Sequence, residues 1–303
     1  MALFRIERES PGLVPFAQYA AGDGLYEREV EDLLWDNLEE MLGRTLFRVA
    51  RQAHLPHGGI PDILALDEAG RIVVIEVKRD VDRQLLSQAL EYAGWARESN
   101  LQEVATLYVN GAQQFWADWQ EFTGTEQPVP ISPNPHIVLA AASFHRRTEA
   151  AISFLRGAGV PLVVLSVGMY QDADGQKFLD VDRRGDLGPP TATSAGNAET
   201  GDGGSAKRSF PATLADLLNA GLLREGETLA WHRPQSGQTF AVSVERDGRL
   251  RLPDGRHASS LSAAATMSVG HGSYPGWECW RAESGELLFD LRSQLIQAVY
   301  ESE

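Results

Sequence analysis

Three charged residues interrupt the most apolar, β-branched part of the N-terminal half. Two apolar runs flank a short acidic turn that ends in Gly within residues 59–79, and this pattern predicts a β-hairpin. Asp62 opens the first predicted strand. Glu76 and Lys78 interrupt the second, where a buried strand should be apolar throughout. These charges constrain the fold because they must be accommodated inside a sheet.

Strand geometry predicts that the three charges meet. Side chains at positions i and i+2 of a strand point to the same face, so Glu76 and Lys78 project together and the neighbouring strand can bring Asp62 beside them. Burying such groups is costly unless they are paired or bind a metal ion. The group is therefore either a structural ion pair or a hydrolytic site. In the second case the carboxylates suit Mg²⁺ or Mn²⁺, and the lysine can hold or activate water.

A family resemblance rests on this stretch. Pro61-Asp62, thirteen intervening residues and then Glu76-Val77-Lys78 resemble the PD-(D/E)XK nuclease signature. The resemblance implies that Asp62, Glu76 and the Val77 carbonyl bind the metal ion. It also implies that Lys78 orients or deprotonates the attacking water.

Two flanking helices extend the resemblance. Gln88 and Tyr92 lie four residues apart and so share a helix face, which by itself is an ordinary polar stripe. A Gln-x-x-x-Tyr helix after the Glu-x-Lys strand is, however, a mark of RecB-like nucleases. There the Gln reaches the active-site water or acid, and the Tyr contacts a phosphate or supports the Lys. The first helix of the family carries a metal-site glutamate, for which Glu27 is the first candidate and Glu31 the reserve.

The resemblance covers about residues 25–170 and is greatest to the EndoMS/NucS-like branch. It implies a mixed central sheet flanked by helices, the α/β PD-(D/E)XK nuclease fold. Periodicity predicts one continuous amphipathic helix over residues 25–42 and a strand–helix–strand crossover with parallel strands after residue 135.

The net charge of −15 argues against a protein that coats DNA non-specifically. Contact with DNA would then depend on local basic groups. Arg146 and Arg147 follow a predicted strand end and form such a cluster. They are candidates for phosphate contact, and a solvated loop is the alternative.

A stretch rich in Gly, Ser, Thr and Pro at residues 186–206 predicts a flexible linker. It divides a nuclease domain at residues 1–185 from a small α+β domain at residues 207–303. The second domain resembles RAMA modules, which are found beside restriction and modification enzymes. The matching stretches are 213–223, 226–229, 248–250, 259–264 and 276–280.

The RAMA resemblance implies a domain that reads DNA, in some cases modified bases. Trp231 and Trp277 are candidates to stack on a base, and Ser259 and Ser260, at a predicted helix start, are candidates to bind phosphate. Residues 276–281 are predicted as a strand. Trp277 and Trp280 would then face opposite sides, so that at least one of them would be exposed. The alternative is that both tryptophans belong to the core of the domain.

Compartment and assembly follow from coarser features. The sequence has no apolar run of the ~18 residues that span a membrane and no signal-peptide pattern at its start. Its single cysteine, Cys279, excludes an intrachain disulfide, so a cytoplasmic setting is expected. A single-site nuclease that cuts both strands usually needs two copies, which makes a homodimer an open expectation.

Three functions remain open. The first is a Mg²⁺-dependent DNA endonuclease, directed by its C-terminal domain to foreign or modified DNA in defence. The second is a mismatch-directed repair endonuclease. The third is a DNA-binding adaptor with a vestigial nuclease fold.

Overall fold

The computed structural model describes a two-part α/β chain. The described residues are 4–6, 13–15, 17–18, 25–56, 58–78, 84–125, 127–172, 175–185, 187, 212–233 and 236–301. The predicted linker therefore lies outside the described residues, apart from Leu187. Leu187 is buried in a hydrophobic core of the N-terminal part.

The strands of the N-terminal part are β1 (Phe4–Ile6), β2 (Leu13–Pro15), β3 (Ala17–Gln18), β4 (Phe47–Arg51), β5 (Ile63–Leu66), β6 (Arg71–Lys78), β7 (Ser132–Ala141), β8 (Leu162–Gln171) and β9 (Lys177–Arg184). Its helices are α1 (Leu25–Asp36), α2 (Leu38–Leu42), α3 (Gln84–Glu98), α4 (Leu101–Thr106), α5 (Ala112–Thr123) and α6 (Arg146–Gly157).

Within the described residues, seven strands form one mixed sheet in the order β3-β8-β7-β6-β5-β4, with β9 also paired to β8. β5 and β6 pair antiparallel, as the predicted hairpin requires. β6, β7 and β8 run parallel, which confirms the predicted parallel crossover. β6 is thus a central strand with neighbours on both sides.

Helices cover both faces of this sheet. α1 and α2 pack on one face, where Val73, Ile75 and Val77 of β6 belong to their core. Val74, on the opposite face, belongs to a core that includes α3, α4 and α5. The alternation of β6 therefore directs Glu76 and Lys78 to the α3 side.

The C-terminal part is a small α+β domain. Its helices are α7 (Leu214–Asn219), α8 (Leu261–Val269), α9 (Gly276–Cys279) and α10 (Leu288–Glu301), and its strands are β10 (Thr228–Arg233), β11 (Gln238–Val244), β12 (Leu250–Arg251) and β13 (His257–Ala258). The four strands form an antiparallel sheet in chain order. The predicted fold class, a mixed sheet flanked by helices plus a small α+β domain, is confirmed. None of the described helices combines the length and apolar character that crossing a bilayer requires.

Two predicted elements are wrong. The helix over residues 25–42 is broken at Asn37, whose φ of −133° and ψ of 39° lie outside the helical region. Its side-chain amide donates to the Leu33 carbonyl at 2.9 Å, a local bond that supports this non-helical conformation. The strand over residues 276–281 is replaced by α9. Trp277 lies in α9 and Trp280 follows it in an extended conformation, and both are buried.

The β5–β6 turn is held by Asp67 and Gly70. The buried Asp67 carboxylate accepts from the backbone N–H groups of Ala69 and Arg71 at 3.0 and 2.9 Å. Gly70 has φ +73°, and a Cβ built there would lie 2.0 Å from the Pro130 carbonyl oxygen. Both the backbone conformation and the close approach therefore require Gly.

Gly70→Ala should destabilise the protein more than Gly159→Ala. Both glycines have positive φ, but a Cβ at Gly159 meets nothing within 4 Å. Gly159→Ala should therefore lower the free energy of unfolding only by the strain of a left-handed backbone, about 1–2 kcal/mol. Gly70→Ala adds the collision with Pro130 and should cost about 1 kcal/mol or more beyond that. Urea unfolding of the two variants measures the difference. An equal decrease in the free energy of unfolding for the two variants would show that the hairpin turn moves away from Pro130 without destabilising the protein.

Candidate active site

The β5–β6 register places Asp62 opposite Glu76. Ile63 pairs with Ile75, and in an antiparallel pair the preceding residue of β5 then faces the following residue of β6. The Val77 N–H donates to Asp62 Oδ2 at 2.7 Å. Lys78 Nζ lies 3.4 Å from Glu76 Oε1. The three charges that the sequence predicted to converge are therefore together at the end of β6.

Burial raises the proton affinity of both carboxyls. Desolvation is the main cause that raises the pKa of Asp62, while the hydrogen bond from Val77 and the charge of Lys78 oppose it. Desolvation, followed by the charge of Asp62, raises the pKa of Glu76 to about 7. Burial lowers the pKa of Lys78, but the charges of Asp62, Glu76 and Glu27 together hold it above its usual value. Because the two carboxyls share one buried site, the negative charge of each disfavours ionisation of the other.

α3 brings Tyr92 and Gln88 to the same side of the sheet. The buried Tyr92 hydroxyl accepts from the Ile60 N–H at 3.4 Å. Burial raises the pKa of Tyr92, and the charge of Glu76 raises it further. The Tyr92 hydroxyl is therefore close enough to Glu76 to interact with its charge. Gly59 allows this approach, because a Cβ there would lie 2.5 Å from the Tyr92 ring. Gln88 Oε1 is buried without a hydrogen-bond partner.

α1 places both candidate glutamates near the site in different ways. Glu31 is buried, and the Gln52 side-chain amide bridges it to Asp62, with distances of 2.9 Å to Glu31 Oε2 and 2.8 Å to Asp62 Oδ1. Glu27 acts through its charge on Lys78. The reserve candidate, Glu31, is thus linked by hydrogen bonds to Asp62. Sequence reasoning missed Gln52 because an isolated Gln after a strand carries no motif.

The donor set at the end of β6 suits a divalent cation. Among the described residues, no three His, Cys, Asp or Glu side chains form a ready-made metal cage. Two carboxylates are nonetheless present, and Glu76 Oε2 is buried without a hydrogen-bond partner. Such a set fits Mg²⁺, which binds through one or two carboxylates and keeps several waters or substrate phosphate oxygens. The residues therefore fit the implied ion, with Asp62, Glu76 and the Val77 carbonyl as its candidate ligands.

The predicted basic cluster lies at the site-bearing end of the sheet. β7 ends at Ala141, which pairs with Lys78, and the chain leaves the sheet there to start α6. Arg146 and Arg147 open α6 and are exposed. Their position is compatible with phosphate contact, which remains a prediction.

Three predicted DNA-contact residues of the C-terminal domain are core or cap residues instead. Trp231 is only 7% exposed, and its ring packs against those of Phe240, Tyr274 and Trp280. Trp277 is 4% exposed, with the Arg292 guanidinium 4.4 Å from its ring centroid. Neither ring is open for stacking on a base, because the small domain uses its aromatics to fill its core.

Ser260 is also buried, because its Oγ caps α8 by accepting from the Ala263 N–H at 3.1 Å. Ser259 is exposed, but its Oγ donates to Asn37 Oδ1 at 2.8 Å. Ser262 Oγ donates to the carboxylate of Glu39, which also accepts from Thr45 at 2.7 Å. The N-terminus of α8, which favours an anion, therefore faces a carboxylate from the N-terminal domain.

Further contacts join the two domains. Arg233 Nε donates to Glu121 Oε1 at 2.5 Å, and its Nη2 donates to the other oxygen of the same carboxylate. The Arg48 N–H donates to Ser273 Oγ at 3.0 Å, and Arg48 Nη2 donates to Thr266 Oγ1 at 2.9 Å. A bidentate pair and a strand-edge hydrogen bond thus hold the second domain against β4 and α5.

A family model matches the C-terminal part of the chain. Residues 194–301 match the family model RAMA, described as Restriction Enzyme Adenine Methylase Associated. The predicted RAMA resemblance is confirmed. The search of curated proteins finds no match for the chain.

Two solved structures are similar to the chain. One is a crystal structure of a repair endonuclease from Pyrococcus abyssi, with 20% identity, a TM-score of 0.27 and coverage of 50% of each chain. The other is a structure of an EndoMS–dsDNA2 complex, with 18% identity, a TM-score of 0.29 and coverage of 53% of this chain and 63% of that chain. The chain thus spans between half and two thirds of the length of these proteins.

Glu40→Gln should flatten the loss of stability as pH rises. Burial, followed by the charge of Glu39, raises the pKa of Glu40 to about 7 from the usual 4.5. The folded state then binds more protons than the unfolded state between these values, so the free energy of unfolding falls as pH rises through that window. One such group contributes a slope of at most about 1.4 kcal/mol per pH unit.

Urea unfolding at pH 5 and pH 8 measures this effect as the difference between wild type and Glu40→Gln. Glu98→Gln, at the exposed end of α3, controls for the loss of one carboxylate from the net charge. If Glu40→Gln loses stability between pH 5 and pH 8 as steeply as wild type does, Glu40 is not the source of the slope.

Proposed function

We propose that the protein is a divalent-metal-dependent DNA endonuclease whose RAMA domain directs it to its target. The observation that carries the proposal is the convergence of Asp62, Glu76 and Lys78 at the end of β6, with an unpartnered Glu76 oxygen. In structural ion pairs, most buried side-chain oxygens have a hydrogen-bond partner. An orphaned carboxylate oxygen beside a second carboxylate instead favours a site that binds a cation.

The proposed roles follow from the positions of the groups. Asp62, Glu76 and the Val77 carbonyl would hold Mg²⁺ or Mn²⁺, and Glu31 or Glu27 would support them from α1. When bound, the ion supplies positive charge that offsets the charge developing on the scissile phosphate. The Lys78 amine would orient or deprotonate the attacking water, and Gln88, whose carbonyl oxygen is unpartnered, would orient that water. Tyr92 supports the loop in front of the site.

The target is proposed from the RAMA match. RAMA is associated with restriction and adenine methylation by its family description, which favours foreign or modified DNA as the substrate and defence as the setting. One similar structure is described as a repair endonuclease, so mismatch-directed cleavage is the second candidate. A non-catalytic adaptor would have no use for the buried charges, whose desolvation is costly.

Asp62→Asn, Glu76→Gln and Lys78→Met should each lower the rate of plasmid cleavage in Mg²⁺ or Mn²⁺ by about 100-fold or more, because each removes charge that acts on the transition state. Two variants are the matched controls. Asp254→Asn changes an aspartate in an exposed turn, and Lys177→Met changes a lysine of β9 that pairs with Glu29 of α1. Initial rates of supercoil loss measure the effect. Equal cutting by all variants would sink the assignment of this site.

A substrate panel should separate the proposed targets. Wild type is incubated with phage DNA that carries modified bases, the same sequence without modification, and short duplexes with and without one mismatch. A defence nuclease should cut modified and unmodified DNA at rates that differ by about 10-fold or more, the discrimination expected from one or two specific contacts. A mismatch enzyme should prefer the mismatched duplex. Lack of cleavage on every substrate, with DNA binding retained, would favour the adaptor.

A further inference from the structure

Gln52 has an unusual backbone conformation directly after β4. Its φ of +47° is the only positive value at a non-glycine residue within the described part of the chain. A side chain with a Cβ pays about 1–2 kcal/mol in this region. Such conformations persist where surrounding contacts over-determine them, and they cluster at functional sites.

Three hydrogen bonds hold Gln52 in place, and two of them end on Asp62. The Gln52 N–H donates to the Asp62 carbonyl at 3.0 Å. Its side-chain Nε2 donates to Asp62 Oδ1 at 2.8 Å and to Glu31 Oε2 at 2.9 Å. The other Asp62 oxygen is held by the Val77 N–H. The carboxylate of Asp62 thus has one donor on each oxygen and a fixed orientation.

The same amide connects the site to α1. Glu31 also accepts from Arg51 Nε at 2.9 Å, so its carboxylate is shared between a guanidinium and an amide. Gln52 is therefore the group through which helix α1 and the strand pair β5–β6 meet at the site.

We propose that Gln52 is a positioning residue: it orients the Asp62 carboxylate for the divalent cation and ties Glu31 to it. The inference rests on the proposed nuclease function. Gln52 does not act on the substrate itself. Its effect passes through Asp62, in the manner of outer partners that orient metal ligands and contribute about 10–100-fold to metal affinity.

The test uses Gln52→Gly in the full chain. Gly adopts positive φ without strain, so this variant removes the amide without adding backbone cost. Gln52→Asn is a second variant, since Asn also tolerates this conformation but is one methylene shorter. Gln127→Gly, in an exposed loop after α5, is the matched control. Calorimetry with Mn²⁺ alone measures metal affinity, and cleavage assays give kcat and KM.

Gln52→Gly should bind Mn²⁺ about 10-fold more weakly than wild type, with an unchanged melting temperature. Its kcat should fall while KM for DNA stays constant, and excess Mn²⁺ should restore cleavage. Gln52→Asn should lie between wild type and Gln52→Gly, and Gln127→Gly should match wild type. A purely structural role would lower the melting temperature and would not respond to added Mn²⁺.

Two outcomes overturn the proposal, and they are distinguishable. If wild type binds Mn²⁺ and cuts DNA while Gln52→Gly does both equally well, the positioning role is wrong and the nuclease function stands. If wild type neither binds Mn²⁺ nor cuts any DNA, the proposed function fails and the role of Gln52 fails with it.

Discussion

Two buried carboxyls and one ammonium at the end of β6 impose the main physical demand on this structure. Taking Asp62 and Glu76 out of water costs several kcal/mol each unless they are compensated. The Val77 N–H, the Gln52 amide and Lys78 supply part of that compensation, and the raised pKa of Glu76 shows that it is incomplete. Because the desolvation of the two carboxyls is only partly compensated, a bound cation would stabilise this site.

The second domain is joined to the strand that leads to this site. Arg48 contacts Thr266 and Ser273, and four residues further along the same chain Gln52 holds Asp62. At the start of α8, Ser262 donates to the carboxylate of Glu39 from the N-terminal domain. The sequence had predicted a DNA phosphate at this helix end. The elements that support the site therefore also carry the domain contact.

Sequence patterns predicted most elements but not their interruptions. The β5–β6 hairpin was predictable because β-branched runs and a Gly-terminated acidic turn are local signals. The break at Asn37 was missed because apolar periodicity continues across it. α9 was taken for a strand because its four residues cover little more than one 3.6-residue turn, too short to show a repeating pattern. α5, β9 and α10 were not predicted at all. The prediction that at least one of Trp277 and Trp280 is exposed was wrong, since both are buried and burial depends on neighbours distant in sequence.

The sequence by itself predicted that Asp62, Glu76 and Lys78 share a site, since Glu76 and Lys78 lie on one face of a strand and a short hairpin can bring Asp62 beside them. It also determined the RAMA resemblance of the C-terminal part, which the family match confirms. Only the tertiary structure decided which helix glutamate is hydrogen-bonded toward Asp62, because that link passes through Gln52 and its left-handed backbone. The physical reason is that local periodicity specifies which face a side chain occupies, whereas its partner is chosen by packing between elements that are distant in sequence.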